Sequence, residues 1–278
     1  MSAVLLSLRG LRIALPNRAA KPMFGTPPMI EIVKGVDLAI ARGRALAVVG
    51  ESGSGKTTLG RAMVGLVRPT AGEIVYDGQD IGRMNEAAFR PLRARIQMIF
   101  QDPQSSLNPR LRIGTILSRP LQAFGRLDRA GRARRARELL EIVGLPPGFA
   151  ERYPHELSGG QRQRIGIARA LALEPEFIVA DEIVSGLDVS TQAQILLLLR
   201  RLMAEFSLTL VFISHDLSVV RVLCDEVAVM SEGRIVEQGS IAAVFDNPQN
   251  AYTRELLDCV PLPDVEDGWI MREKVELT

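Results

Sequence analysis

The sequence predicts an α/β fold built on a mostly parallel sheet, and three observations predict it. From Gln161 to Gln238, short apolar strand-like runs alternate with longer helical patterns. Earlier, the apolar run Ala45 to Val49 leads into Gly50-Glu51-Ser52-Gly53-Ser54-Gly55-Lys56-Thr57 and then a helix. This is a strand–turn–helix unit. Between these halves, residues from about 102 to 156 change character: proline, serine and arginine become frequent, and helices replace strands.

In chain order, Val4 to Ile13 and Ile30 to Ile40 are the first predicted strands. The second alternates Ile30, Ile32, then Val36, Leu38, Ile40. A proline-rich loop, Pro16 to Pro28, separates them. The turn after Val49 fills every fixed position of G-x-x-x-x-G-K-[ST]. Gly50, Gly53 and Gly55 let the backbone turn tightly, so that amides point inward at phosphate oxygens. Lys56 brings positive charge to β- and γ-phosphates, and Thr57 offers a hydroxyl to Mg²⁺. The helix starting near Lys56 aims its N-terminal dipole at the same anion. With Glu51, Ser52, Ser54 and Thr58, these residues make the expected nucleotide-binding set.

A helix from Leu59 to Val67 follows, ended by Arg68-Pro69. Then come a strand from Gly72 to Tyr76 with the turn Asp77-Gly78, and a strand from Ile96 to Phe100 running into Gln101-Asp102-Pro103. Gln101 is placed to offer its amide oxygen to a metal. Six arginines fall between Arg126 and Arg137, on a helix whose Ala136, Leu139, Leu140 and Val143 share one face. The arginines read either as a solvated face or as a docking surface for a partner or lipid headgroups.

Leu157-Ser158-Gly159-Gly160-Gln161 opens the helix to Leu173 and forms a second anion-directed turn. One chain needs only one such turn for a triphosphate, so the second suggests a nucleotide sandwiched between two chains. Phe177 to Ala180 is an apolar strand that ends in Asp181 and Glu182. The strand delivers Asp181 to the sheet edge where ligands bind, fit to hold Mg²⁺, and Glu182 can polarise an attacking water. A helix from Thr191 to Phe206, a strand from Leu208 to Ser214, a helix from Leu217 to Leu223 and strands at Glu226 to Ser231 and Arg234 to Gln238 complete the pattern. Taken alone, Asp188 reads as a helix cap and His215 as a surface or capping residue.

Composition sets limits on the whole. The 278 residues carry 34 basic and 32 acidic side chains, a net charge of +2 that argues against binding a polyanion by bulk charge. Cys224 and Cys259 are the two cysteines, which fits a reducing compartment. No apolar run reaches the roughly 20 residues of a bilayer span, and Met1 to Leu8 lacks the positive start of a signal peptide. A cytosolic chain is expected, with any service to a membrane performed through a partner.

The ordered set of phosphate loop, Gln101-Asp102-Pro103, Leu157 to Gln161, Asp181-Glu182, Ser185-Gly186-Leu187-Asp188 and His215-Asp216 resembles the ATPase subunits of ABC transporters, over about residues 1 to 260. The resemblance implies a P-loop NTPase core with a mostly parallel sheet, an antiparallel β subdomain and an inserted helical subdomain. The ATPase domain would span 1–245, the insertion about 102–160, and a C-terminal extension 246–278. It also implies ATP and Mg²⁺ as ligands. Gln101, Glu182 and His215 become the catalytic set, Thr57, Gln101 and Asp181 the metal set, and Ser158, Gly159, Gly160, Gln161 and Asp188 the contacts to nucleotide.

The subfamily resembled is that of oligopeptide, dipeptide and nickel importers, second-ATPase type. Ile96 to Pro103, Ser106-Leu107-Asn108-Pro109-Arg110, Arg152 to Glu156, and Asn247-Pro248 with Ala251-Tyr252-Thr253 carry that likeness. It implies a second ATPase subunit (a heterodimer, or a homodimer), two membrane permeases and an extracytoplasmic solute-binding protein. It also implies a peripheral place on the cytoplasmic face of the inner membrane and no nucleic-acid partner. The competing class, an ABC-type ATPase acting on nucleic acid or the ribosome, usually carries long coiled coils or two cassettes, and neither is present here.

Three departures stand out. Ile183 replaces the family's usual proline and Gly186 its usual alanine, and the cysteine-rich C-terminal segment of many relatives is missing. The aromatic residue that stacks on adenine would fall at Leu15, which has no ring, with Phe24 in the same loop as a substitute. Weak discrimination between ATP and GTP is the expectation.

Overall fold

A computed structural model describes residues 3–17, 25–102 and 106–258. Its core is a six-stranded sheet in the order β10-β9-β3-β8-β7-β6. The strands are β3 (Ala45–Val49), β6 (Ile96–Ile99), β7 (Phe177–Asp181), β8 (Thr209–Ile213), β9 (Glu226–Ser231) and β10 (Arg234–Ser240). All neighbours are parallel except β10, which runs antiparallel to β9 at the edge. The central strands are apolar at nearly every position because both faces are covered. Ala45, Ala47, Val49, Ile178, Ala180, Leu210, Phe212, Val227 and Val229 face one core. The alternate residues Leu46, Val48, Phe177, Val179, Val211, Ile213, Ala228 and Met230 face the other.

The second core lies under a four-stranded antiparallel sheet, order β2-β1-β4-β5, of β1 (Val4–Pro16), β2 (Met29–Ala41), β4 (Ala71–Tyr76) and β5 (Gln79–Asp80). Helix α1 (Lys56–Met63) contributes Leu59, Ala62 and Met63 to the same core. The two sheets are cross-linked at one end by Arg42 and Arg95. Both guanidiniums bond the carboxylates of Asp77, in the turn after β4, and Glu176, just before β7.

The first core lies against α3 (Ile113–Ala123), α4 (Arg129–Ile142), α5 (Gly159–Leu171), α6 (Val189–Phe206) and α7 (Leu217–Leu223). A short α2 (Glu86–Phe89) precedes β6, and α8 (Ile241–Asp246) and α9 (Ala251–Asp258) follow β10. The arginine-rich helix buries Ala136, Leu139, Leu140 and Val143 as its spacing requires, with Asp128 accepting from Gly131 N–H as its cap.

Helix limits moved where cap chemistry overrode the apolar pattern. The helix expected at Leu59–Val67 ends at Met63, because Gly65 turns left-handed (φ 69°) and sits where any Cβ would collide with the Phe89 ring. Two others start earlier than expected, at Gly159 and Val189, where Ser158 and Asp188 cap them. No helix of the described residues is long and apolar enough to cross a membrane.

Candidate functional site

Parallel strands deliver their C-terminal ends to one edge of the sheet, which is where ligands bind in such folds. At that edge β3 ends at the phosphate loop, β8 at Ser214-His215, β7 at Asp181-Glu182, and Gln101 follows β6 after Phe100. The four candidate stretches are therefore neighbours because β3, β8, β7 and β6 are neighbours.

The loop's glycines are dictated by crowding as well as by conformation. A side chain on Gly50 (φ 145°) would drive into the carbonyl of Met230. On Gly55 (φ 104°), a Cβ would sit 2.9 Å from the Ile32 carbonyl oxygen and the Met230 methyl. Ser54 N–H closes the turn onto the Glu51 carbonyl at 3.2 Å. Lys56 is only 4% exposed, and its ammonium donates to the carbonyls of Gly50 (2.8 Å) and Glu51 (2.7 Å). Burial lowers the Lys56 pKa, against the opposing pull of Glu182, Asp181 and Glu51. Ser52 and Gly53 complete the turn, and Thr57 and Thr58 begin α1.

Thr57 donates its hydroxyl to Asp181 Oδ1 at 3.0 Å, across 124 residues of sequence. Asp181 is 2% exposed, and burial pushes its pKa up despite the Thr57 hydrogen bond. A triphosphate beside the buried lysine and a divalent cation beside the buried aspartate would each favour the charged form that burial disfavours. Among the described residues no group of three or more His, Cys, Asp and Glu could hold a metal. One carboxylate and one hydroxyl fit Mg²⁺, which takes most of its ligands from water and phosphate.

Glu182 follows with φ 47°, a left-handed conformation uncommon for a long side chain, fixed by its N–H bond to the Ile213 carbonyl (2.9 Å). The Gln101 amide donates to Glu182 Oε2 at 2.8 Å, and His215 Nδ1 lies 3.5 Å from Oε1. Gln101 and His215 are exposed and Glu182 is partly buried. Gln101 and His215, from two different loops, thus meet at the Glu182 carboxylate of a third. The Gln101 amide nitrogen, rather than its oxygen, faces this carboxylate. A cleft of about 640 Å³ opens alongside, with Gln101 and Asp181 in its wall together with Pro120 of α3 and Arg169 of α5.

The second turn is elsewhere. Ser158 Oγ accepts from Gln161 N–H (3.3 Å), and the Gln161 side chain accepts from Ser158 N–H (3.0 Å), a reciprocal capping box on α5. Gly160 approaches Thr191 so closely that a Cβ would collide with its methyl, and a Cβ on Gly159 would meet Leu187 at 3.4 Å. The turn therefore packs on the start of α6, where Asp188 accepts from Ser190 and from the backbone and hydroxyl of Thr191. These bonds, Ser190's foremost, hold the Asp188 pKa at about 2. Ile183 is buried in the first core, and Gly186 takes φ 74° with open space around it. Glycine suits that left-handed position better than alanine would.

Sequence reasoning missed two contacts to the loop. Gly233, in the β9–β10 turn, donates its N–H to the Ser54 carbonyl at 3.0 Å, and Glu51 N–H donates to the Tyr252 hydroxyl at 3.1 Å. The Tyr252 motif was visible only as a subfamily likeness. Leu15 pairs with Ile30 and is half-buried, whereas Phe24 lies outside the described residues, as do Pro103 and Cys259.

Residues 33–185 match the family described as ABC transporter. A Brucella ovis protein provisionally named a peptide import ATP-binding protein is 52% identical over 260 residues, covering 94% of this chain and 80% of that protein. A Brucella abortus protein with the same kind of name is 53% identical over 234 residues, covering 84% and 70%. Among solved structures, the ATP-binding cassette MJ0796, dimeric in a post-hydrolysis state with ADP and Pi, has a TM-score of 0.75 and 30% identity, covering 85% of this chain and 99% of that one. The cbiO1 protein of Clostridium perfringens, part of the ABC transporter complex cbiONQ, has the same TM-score at 29% identity, covering 88% and 91%.

Proposed function

The chain belongs to the ABC transporter family, and on that premise we propose that it is the ATP-binding and ATP-hydrolysing subunit of an importer of peptides or related small solutes. The observation that carries the reading is the meeting of Gln101, Glu182 and His215 beside the phosphate loop and the Thr57–Asp181 pair. The loop amides and Lys56 bind the triphosphate, Lys56 exchanging the Gly50 and Glu51 carbonyls for phosphate oxygens. Thr57 and Asp181, with Gln101 beside them, would hold Mg²⁺, which would supply positive charge to offset that of the phosphates. Glu182 orients the attacking water as general base, and Gln101 and His215 keep its carboxylate in place. His215 also stabilises the transferring group.

The turn Ser158 to Gln161, exposed at Ser158 and close to Asp188, suits a second ATPase subunit, either a different chain or another copy, whose nucleotide it would cover. Closure of such a composite site would exclude water and strengthen each electrostatic contact. Two permeases and an extracytoplasmic binding protein would complete the importer, with this chain peripheral on the cytoplasmic side. Residues about 102–160 act as the inserted helical subdomain. The shared cleft gives their movement a route to Gln101 and Asp181.

Affinity purification of the chain from its own cells, followed by an ATPase assay with and without solute-loaded binding protein, tests the proposal. Two permeases should co-purify, binding protein should stimulate hydrolysis, and Lys56→Ala should abolish it. Hydrolysis that is indifferent to permeases would overturn the importer reading.

A further inference from the structure

The phosphate loop is gripped at both ends of its first turn by the C-terminal part of the chain. At one end, Gly233 N–H holds the Ser54 carbonyl at 3.0 Å. At the other, the Tyr252 hydroxyl, on α9, accepts from Glu51 N–H at 3.1 Å, 201 residues away in sequence. Glu51 is the hub of the loop: its carbonyl receives both Ser54 N–H and the Lys56 ammonium. Whatever fixes the Glu51 peptide therefore fixes the turn and the starting position of the lysine that meets the phosphates.

Tyr252 is itself held in place. Glu237 of β10 accepts from Gln249 N–H (2.7 Å) and Asn250 N–H (3.1 Å) through its two carboxylate oxygens. Asn250 Oδ1 accepts from Tyr252 N–H at 2.9 Å, which caps the start of α9. Thr253 beside it is 1% exposed, and the Tyr252 ring packs against the first core. Both braces therefore hang from one strand: Gly233 immediately precedes β10, and Glu237 lies within it.

We propose that Tyr252 is a positioning residue for the nucleotide, holding the Glu51 peptide so that the phosphate loop is preorganised for the triphosphate. The inference rests on the ATPase reading and extends it to residues 246–258, which otherwise look like an appendage. Preorganisation acts on binding rather than on the chemical step, because the Tyr252 hydroxyl meets the loop at the Glu51 N–H and not at the Glu182 carboxylate, where Gln101 and His215 converge.

The test is Tyr252→Phe in the full chain, which removes the hydroxyl and keeps the ring. ATP affinity is measured with a fluorescent ATP analogue, KM and kcat in the assembled importer, and the melting temperature alongside. Loss of one net hydrogen bond should weaken binding and raise KM by roughly threefold to tenfold, with kcat and melting temperature little changed. Glu237→Gln, which loosens the loop behind Tyr252, should shift affinity the same way by less. Affinity and KM within about twofold of wild type for Tyr252→Phe would overturn the proposal. If melting temperature falls as well, Asp246→Ala gives the comparison: it removes Arg221's partner on the same segment, and the pair does not include a loop residue. Equal weakening of ATP binding by both variants would likewise overturn it. Wild-type binding, lost in Lys56→Ala, checks the underlying ATPase reading separately from this ratio.

Discussion

The turns at Glu51–Ser54 and Ser158–Gln161 both place glycines ahead of a helix, yet their surroundings differ. Around the first, the chain has closed in: Lys56 and Asp181 are buried, Gly50 and Gly55 have no room for a side chain, and Gly233 and Tyr252 hold the turn from behind. Around the second, less of the chain has closed in: Ser158 is exposed, its hydroxyl and the Gln161 side chain satisfy each other, and the glycines pack on Leu187 and Thr191. Two anion-directed turns with similar local chemistry thus serve different ends. On the proposed reading, the one with the Thr57–Asp181 pair and the carboxylate cluster would bind and process a nucleotide. The other would close over a nucleotide brought by another subunit.

The largest test of this contrast removes the chemistry from the first turn. Glu182→Gln should leave ATP binding intact and cut hydrolysis at this chain's own site by roughly 10²–10⁴, measured with the partner's site disabled. Near-normal turnover there would mean that the Gln101–Glu182–His215 cluster is not the catalytic one. The second turn is probed by Ser158→Arg, which should leave ATP binding to this chain unchanged. Hydrolysis of the partner's nucleotide should fall by at least about tenfold, on the scale of losing a positioned donor. If it does not fall, the turn is merely a helix cap and the contrast collapses.

Smaller effects lie in the segment 182–188 that joins the two regions. Gly186→Ala forces a side chain into the left-handed region and should destabilise the fold by about 1 kcal/mol, read from denaturant unfolding. An unchanged midpoint would show that the loop adopts the usual alanine conformation without strain. The smallest expected effect is electrostatic. The Asp188 pKa, about 2, is depressed, so its stabilising contribution is present above the ordinary aspartate range and disappears as pH falls through about 2. The stability gap between wild type and Asp188→Asn should therefore narrow across that acid window. A constant gap would mean that the Ser190 and Thr191 bonds do not favour the ionised form.

Much of the site was legible because its parts are local. Gly50 to Thr57 announces a loop between a strand and a helix, and Asp181-Glu182 ends a strand whose every residue is apolar until the acids. Asp188 was read as a helix cap, and it is one. His215 was ambiguous in sequence, since one histidine after a strand carries no partner with it. Only its 3.5 Å approach to Glu182 gives it a place. In the sequence Tyr252 carries a likeness and no physical role, because nothing near residue 252 in the chain points to residue 51.

What could be known without coordinates depended on periods of two and 3.6 residues and on turns a few residues long. Those patterns specify strands covered on both faces, amphipathic helices and glycine turns, since each depends only on neighbours in sequence. The strand order β10-β9-β3-β8-β7-β6 is not written in any such pattern. Parallel strands are joined by crossovers that leave their pairing free until the two cores are packed. That packing alone sets β8 between β3 and β7, brings Gln101 and His215 to the Glu182 carboxylate, and carries Tyr252 of α9 back to the phosphate loop. Chemistry that depends on long-range neighbours is decided at that step, because burying both faces of the sheet selects the order in which its edges meet.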